Sequence, residues 1–310
     1  MKLLLTGCFK YSKDQLKEIE DLGYEITFIQ NELQTLERDV QEFEAVVCNG
    51  LFLRNEISDF TNLKAVQLTS AGLDRFPVAE VDFHNVKVAN AKGVYSIPIA
   101  EWVVLKILEL YKDSTSFIHN QKNKIWEKKR ELLELNGQTA CVVGAGSIGT
   151  EIAKRLQVFG VTTIGVDISS QPKEYFDEMY LIEDLKKCIN RCDVVILTVP
   201  LTETTYGMIN KEMIGNMKDT AVVVNVARGE IINEEDLIEA LRNKMIAGAI
   251  LDVFEQEPLK EESPLWEMEN VIVTPHNSFV SSKNTERLYQ LILGNLKAIK
   301  EDNELVNQVK

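Results

Sequence analysis

The chain has 310 residues, 45% hydrophobic and 26% charged, with 34 basic against 48 acidic residues and a formal net charge of −14. That length is ample for two ordinary domains with sizeable cores, and the composition is that of a soluble globular protein. The acidic balance excludes non-specific binding to nucleic acid or to an anionic membrane surface, which both demand positive charge, but leaves an anionic small substrate open, since that responds to local charge.

Leu5-Thr6-Gly7-Cys8 has the look of a lipoprotein processing box, but the apolar stretch before it runs only from Leu3 to Leu5. That is far short of a signal-peptide core, so Lys2–Thr6 is expected as a first strand. No later stretch reaches the roughly 18 apolar residues of a membrane span. Residues 1–95 then alternate a helix (Lys13–Leu22, ended by Gly23) with strands at Glu25–Ile29, Ala45–Cys48, Ala65–Thr69 and Val86–Ala89. Such alternation predicts a parallel sheet with helical crossovers. It carries no glycine fingerprint. Thr69-Ser70-Ala71-Gly72-Leu73-Asp74 follows a strand, and its small residues suit backbone donation to an anion as well as an ordinary strand-to-helix turn.

A loop from Asn90 leads to Ser96, placed to cap a helix with Pro98 in its first turn. The helix through Trp102, Leu105, Leu108 and Leu110 is apolar around most of its circumference, which predicts burial between domains. A charged segment, Lys122 to Glu134, follows.

Thr139-Ala140-Cys141-Val142-Val143 is an apolar, β-branched run entering Gly144-Ala145-Gly146-Ser147-Ile148-Gly149. A helical pattern (Ile152, Ala153, Leu156, Phe159) closes at Gly160, and a second strand ends at Asp167. Gly144 permits the tight turn, Gly146 lets the backbone approach a pyrophosphate, and Gly149 lets helix and strand pack closely. The free N–H groups where the helix begins, at Ser147 and Ile148, attract phosphates. Asp167 is placed to accept hydrogen bonds from a ribose; with Ile168, Ser169 and Ser170 after it and no arginine, NAD is favoured over NADP. Glycine triplets alone are common in turns. Both flanking elements and the acid make this one a dinucleotide fingerprint.

Further strands are expected at Glu178–Tyr180, Asp193–Val199, Ala221–Val226, Ala247–Val253 and Val271–Thr274, giving seven from Thr139 onward and a doubly wound sheet. The last helix, about Ser282 to Ile299, carries Leu288, Leu291, Ile292, Leu296 and Ile299 and is expected to pack on the first domain or the bridging helix. Five cysteines, at 8, 48, 141, 188 and 192, show no metal spacing. Cys188 and Cys192 are expected as a packed or surface pair, no metal is expected, and the chain reads as cytoplasmic and reduced.

Three consecutive late strands end in chemistry: one at Arg228-Gly229, one leading to Glu255-Gln256-Glu257-Pro258, one at Thr274-Pro275-His276. Ligands of open α/β sheets bind outside the carboxyl ends of strands. An arginine recognises a carboxylate in bidentate fashion, and a histidine beside a glutamate makes a proton donor whose charged form is supported. Singly, each has a bland reading as a surface or loop charge. The other histidines, His84 and His119, have no evident chemical company. The three together point to a catalytic set.

These residues carry a resemblance. Val143–Gly149, Pro200–Thr205, Asn225–Gly229, Leu251–Pro258 and Thr274–His276, with Ser70–Asp74 and Asn90–Trp102, resemble the D-isomer-specific 2-hydroxyacid dehydrogenase family over nearly the whole chain. The family includes glyoxylate/hydroxypyruvate reductases, phosphoglycerate dehydrogenases and D-lactate dehydrogenases. The resemblance implies an α/β protein of two doubly wound parallel-sheet domains. One is a flavodoxin-like substrate domain (1–98 plus 281–310) and the other a Rossmann NAD-binding domain (99–280), with a cleft that closes over NAD and substrate, in a homodimer. It implies Arg228 as the holder of substrate carboxylate and carbonyl, His276 as acid/base, and Glu257 as its orienter. Backbone groups of Ala71 and Gly72 would help bind the carboxylate. Pro200, Thr205, Val226, Ala227, Asp252 and His276 would line the cofactor. The implied substrate is a small 2-oxo or 2-hydroxy acid, of the glyoxylate or hydroxypyruvate kind.

The chain departs from the family at Asn277-Ser278-Phe279, where a small or aliphatic residue and then Ala or Gly are common, and at Asn233, where Asp is usual at a helix N-cap, a role Asn fills equally well. Glutamate at 257 disfavours the formate dehydrogenase branch, which uses glutamine. The competing reading is an NAD(H)-sensing binding protein, like the family's corepressors, on the same fold.

Overall fold

The computed structural model describes residues 1–37 and 39–309. The chain divides into two compact units, residues Met1–Tyr95 with Ser281–Lys310, and residues Ser96–Val280.

The first unit holds β1 (Lys2–Thr6), α1 (Lys13–Asp21), β2 (Glu25–Ile29), β3 (Ala45–Cys48), β4 (Ala65–Leu68) and β5 (Lys87–Ala89). All its strand pairs are parallel, in the order β2-β1-β3-β4-β5, the flavodoxin-like winding. Successive side chains of β1 feed opposite faces: Leu3 and Leu5 enter one core, with Ile19 and Val47, while Leu4 enters the other, with Val46, Val66 and Val88. A parallel sheet needs cover on both faces, and the unbroken apolar run Leu3–Leu5 is how the sequence writes that need. Ser12 and Gln15 close a reciprocal capping box on α1, and Gly23, at φ +83°, turns the chain into β2.

The second unit begins with α2 (Ser96–Tyr111) and α3 (Ser114–Asn123) and continues with β6 (Thr139–Val143), α4 (Ser147–Val158), β7 (Thr162–Asp167), β8 (Glu178–Leu181), α5 (Lys186–Ile189), β9 (Val194–Leu197), α6 (Lys211–Ile214), β10 (Val222–Asn225), α7 (Glu234–Arg242), β11 (Gly248–Leu251) and β12 (Val271–Val273). Its seven strands are parallel in the order β12-β11-β10-β9-β6-β7-β8. The winding reverses between β6 and β9, which makes their carboxyl ends the switch point where a doubly wound sheet takes its ligand. Asn233 caps α7 as expected, accepting from the Asp236 N–H at 3.0 Å.

Burial of α2 is one-sided. Ile99, Ala100, Val103 and Ile107 are buried and the helix packs along α4, while Leu105 is half exposed. Ser96 lies inside the helix rather than before it, and its hydroxyl meets that of Ser147 at 2.8 Å. The chain re-enters the first unit in α8 (Asn284–Lys300), which buries Leu288, Tyr289, Ile292, Leu293 and Leu296 against the face bearing Leu3 and Leu5. Each such side chain contributes about 1.5–3 kcal/mol. Asn295 of α8 donates to the Gln67 side chain of β4, a buried polar pair that fixes the helix's register. Cys188 and Cys192 are both fully buried, and Cys141 joins them; the neighbouring Cys188 and Cys192 thiols, and then burial, push the Cys141 thiol up. Among the described residues, no helix is long and apolar enough to cross a membrane and no side-chain cluster is set to hold a metal.

Candidate active site

The glycine turn between β6 and α4 is set by backbone contacts. Gly144 holds φ +102°, and a Cβ there would stand 2.8 Å from the Thr198 and Val199 backbone at the end of β9. The Thr198 hydroxyl donates to the Gly144 carbonyl at 2.7 Å, tying the turn to the neighbouring strand. A Cβ on Gly149 would lie 2.1 Å from the Gly144 carbonyl, so helix and turn touch there; a Cβ on Gly146 would meet nothing within 4 Å. Gly146, the N-cap of α4, offers no side chain to the first N–H groups of that helix, at Ser147 and Ile148. Two glycines that close the turn and one beside open space make a cradle that a pyrophosphate fits.

At the end of β7, Asp167 is engaged. Its Oδ1 accepts from the Ile168 N–H at 2.8 Å, and its Oδ2 pairs with Lys173 Nζ at 2.6 Å. The same ammonium donates to the Ala145 carbonyl at 3.0 Å, inside the glycine turn. This lysine lies beyond Ile168, Ser169 and Ser170, so the segment directly after the acid gives no sign of it in the sequence. The remaining residues read as cofactor neighbours sit at the ends of β9 and β10. Thr205 is buried and donates to the Pro200 carbonyl at 2.7 Å, holding that loop closed on itself. Val226 and Ala227 are buried beyond β10.

Arg228, Glu257 and His276 follow β10, β11 and β12, which are adjacent and aligned, with Asn225 opposite Leu251 and Leu251 opposite Val273. Neighbouring strands lie about 4.8 Å apart, so the three turns emerge side by side from one edge of the sheet. His276 Nδ1 stands 2.9 Å from Glu257 Oε2, while Glu257 Oε1 accepts from the Phe254 N–H at 3.2 Å. The glutamate is thus fixed by backbone on one oxygen and holds the imidazole with the other. With Nδ1 facing a carboxylate, Nε2 is the ring atom left to exchange a proton. Both side chains remain more than a third exposed.

Buried polar residues shape the turns that carry this set. Asn225 Oδ1 accepts from the Ala227 N–H at 3.1 Å and its amide donates to the Arg228 carbonyl at 2.8 Å, fixing the bend that presents Arg228. Arg228 Nη1 donates to the Ala227 carbonyl at 2.7 Å. A Cβ on Gly229 would lie 1.8 Å from the Phe254 carbonyl carbon, so only glycine lets this turn press onto the next strand's end. Asp252 is fully buried and its carboxylate takes the Thr274 hydroxyl and the backbone N–H groups of Asn277 and Ser278. Read from sequence as a cofactor neighbour, Asp252 is seen here organising the His276 turn. The family departure at Asn277-Ser278 lies in its main-chain grip, and the Phe279 ring stands edge-on to His276 at 6.1 Å. Glu234 and Glu255 brace α7 to the loop before Glu257 by reciprocal main-chain bonds, and burial raises the Glu234 carboxyl.

In the first unit, Thr69–Asp74 leads into no α-helix. The turn is held by its carbonyls instead: Thr69 accepts from the Tyr95 hydroxyl at 2.6 Å, Ser70 from the Ala91 N–H at 2.8 Å, Ala71 from the Asn90 amide at 2.9 Å and Gly72 from the Ser70 hydroxyl at 2.9 Å.

Residues 104–278 match the family described as D-isomer specific 2-hydroxyacid dehydrogenase, NAD binding domain. The chain is 33% identical to a glyoxylate reductase of Thermofilum pendens, over 86% of this chain and 81% of that one. It is 36% identical to a hydroxypyruvate reductase of Thermotoga maritima, over 69% and 70%. A crystal structure of a D-isomer specific 2-hydroxyacid dehydrogenase from Xanthobacter autotrophicus, in complex with NADPH and MES, superposes with a TM-score of 0.83 at 28% identity, covering 100% of this chain and 98% of that one.

Proposed function

The chain belongs to the D-isomer specific 2-hydroxyacid dehydrogenases, and from that premise we propose that it interconverts a small 2-oxo acid and its D-2-hydroxy acid with NAD(H). The observation that carries the reading is the 2.9 Å contact of His276 Nδ1 with Glu257 Oε2, one strand from the Arg228 turn. The glyoxylate and hydroxypyruvate reductases among its relatives support a substrate of two or three carbons.

A dinucleotide held at the Gly144–Gly149 turn would supply the hydride for such a reduction. The work of the chain's own groups is to hold and to protonate. Arg228 pairs with the substrate carboxylate and steadies the carbonyl. Ala71 and Gly72 offer backbone N–H groups suited to a carboxylate. His276 Nε2 gives the substrate oxygen its proton, and Glu257 keeps the ring oriented and offsets the charge of the imidazolium. In oxidation the same nitrogen takes the proton back. Asp167 accepts from the adenosine ribose. The Ser147 and Ile148 N–H groups serve the pyrophosphate, and Pro200, Thr205, Val226 and Ala227 form the neighbouring wall.

The unit with β1–β5 and α8 is proposed as the substrate domain and the other as the NAD-binding domain. We also propose a homodimer. Leu105, Ile118, Ile125 and Trp126 form an exposed apolar series on α2, α3 and the segment after them, and a second copy is the cover such a surface calls for. The five free thiols support a reduced, cytoplasmic setting.

NADH oxidation followed against a panel of 2-oxo acids tests the reading. Turnover with at least one short 2-oxo acid is expected. Silence across the panel, with NADH still bound, would favour the NAD(H)-sensing protein instead.

A further inference from the structure

The loop after Asp167 folds back on itself, and two anchors decide where it goes. Asp177 Oδ2 accepts from the Thr163 N–H at 2.7 Å and from its hydroxyl at 3.1 Å. Phe176 packs over Gly165, where a Cβ would stand 2.8 Å from its ring. With the foot of the loop pinned beside β7, Lys173 comes down on the acid at that strand's end. Its ammonium bridges Asp167 Oδ2 at 2.6 Å and the Ala145 carbonyl at 3.0 Å. The side chains of Asp167 and Lys173 are only 20% and 34% exposed, so the pair sits in the wall of the site rather than in open solvent.

The consequence for ligand choice is electrostatic. A lone carboxylate at the end of this strand accepts from a ribose and repels a phosphate on its 2′-oxygen. Here the acid is matched by a cation at contact distance, so the local charge is near zero. An ammonium has three donors; among the described residues, two of those of Lys173 meet protein oxygens. A 2′-oxygen bonded to Asp167 Oδ2 would lie within about 5 Å of Nζ, given ordinary hydrogen-bond lengths. A phosphate carried at the 2′ position has no proton for Asp167, and the ammonium beside it is the group placed to receive that charge.

We propose that Lys173 is a specificity-determining residue that lets the ribose site accept either a 2′-hydroxyl or a 2′-phosphate, so that the protein takes both NADH and NADPH. The proposal rests on the dinucleotide reading above and deepens it. Asp167 serves the hydroxyl, and Lys173 both shields that acid and holds the phosphate. Lys173 also touches the pyrophosphate turn through Ala145, so the two ends of the adenosine half are set by one side chain.

Isothermal titration of the full-length protein with NADH and with NADPH, without substrate, tests this for wild type, Lys173→Met, Lys173→Arg and Asp167→Asn. Wild type is expected to bind the two cofactors within about tenfold of each other, the NADPH affinity falling more steeply with salt. Lys173→Met is expected to weaken NADPH about tenfold or more and NADH less than about threefold, with Lys173→Arg restoring the NADPH affinity through its retained charge. Asp167→Asn is expected to shift the ratio the other way. A wild-type preference for NADH beyond tenfold, or a Lys173→Met variant with an unchanged ratio, overturns the proposal while leaving the dinucleotide site standing. Failure of wild type to bind either cofactor brings down the dinucleotide reading itself, and this proposal with it.

Discussion

His276 holds a left-handed backbone, φ +50°, and its N–H donates to the Asp252 carbonyl at 2.7 Å. A non-glycine residue in that region costs about 1–3 kcal/mol and persists only where its surroundings over-determine it. Asp252 supplies the surroundings, with its main chain on His276 and its carboxylate on Thr274, Asn277 and Ser278. The imidazole reaches Glu257 because this turn is locked.

Asp252→Ala therefore strands a hydroxyl and two backbone donors, at about 1–3 kcal/mol for each one left buried and unpaired. The variant is expected to melt several degrees lower and to lose turnover about a hundredfold or more, with NADH affinity reduced far less. Thermal melts, calorimetric NADH binding and kcat measured together check it. A stable variant of full activity would mean the turn holds itself.

The proposed catalytic set separates by kinetic signature. His276→Ala removes the proposed proton donor and is expected to cut kcat by about 10²–10⁴, with NADH affinity close to wild type. Glu257→Gln keeps a hydrogen-bonding group but no charge, so a smaller loss in kcat is expected. Arg228→Ala is expected mainly to raise KM, with kcat lowered too if the arginine steadies the reacting carbonyl as proposed. Steady-state kinetics with the best 2-oxo acid from the panel decides each. An undiminished kcat in His276→Ala removes the proposed acid.

The glycine fingerprint was readable because it is a backbone requirement, and backbone requirements leave a residue type behind. Gly144 and Gly149 each face a main-chain atom closer than a methyl group tolerates. The sheet order was equally open to reading, since runs such as Leu3–Leu5 and Val222–Val224 are apolar on both faces and the chain alternates strand with helix. What stayed hidden depends on tertiary closure. Nothing in His-Asn-Ser signals a left-handed turn, because the constraint comes from Asp252, 24 residues earlier. Lys173 lies six residues beyond Asp167, outside the window in which a ribose-site cation is normally sought. Ser96 looked like a cap and is a helix residue bonded to Ser147, since a serine hydroxyl serves either role and only the neighbour decides.

Two glycines of one fingerprint are expected to fail in different ways. Gly149→Ala places a methyl 2.1 Å from the Gly144 carbonyl, a backbone atom that cannot move without opening the turn. Loss of several kcal/mol or failure to fold is expected, as for other overpacked backbone contacts. Gly146→Ala points its methyl into space that is empty of protein, so its melting temperature is expected near that of wild type. The same methyl occupies the proposed approach of the pyrophosphate, and NADH affinity is expected to fall about tenfold or more. A Gly146→Ala variant that binds NADH normally would put the pyrophosphate elsewhere.

Trp126 tests the assembly. Its side chain is 95% exposed, in an irregular segment whose neighbour Ile125 is 48% exposed. A tryptophan of this size offers about 150–250 Å² to a partner, and tryptophans rank among the side chains that carry most of an interface's energy. If a second copy covers this face, the wild-type chain is a dimer by light scattering at micromolar concentration. Trp126→Glu, which adds a charge to the apolar series, is then expected to be monomeric, or to need at least tenfold higher concentrations to dimerise. Because the residue is open to solvent in the single chain, the monomer should keep its fold and its dinucleotide affinity. A wild-type chain that is monomeric at every concentration would leave the exposed series without the partner assigned to it.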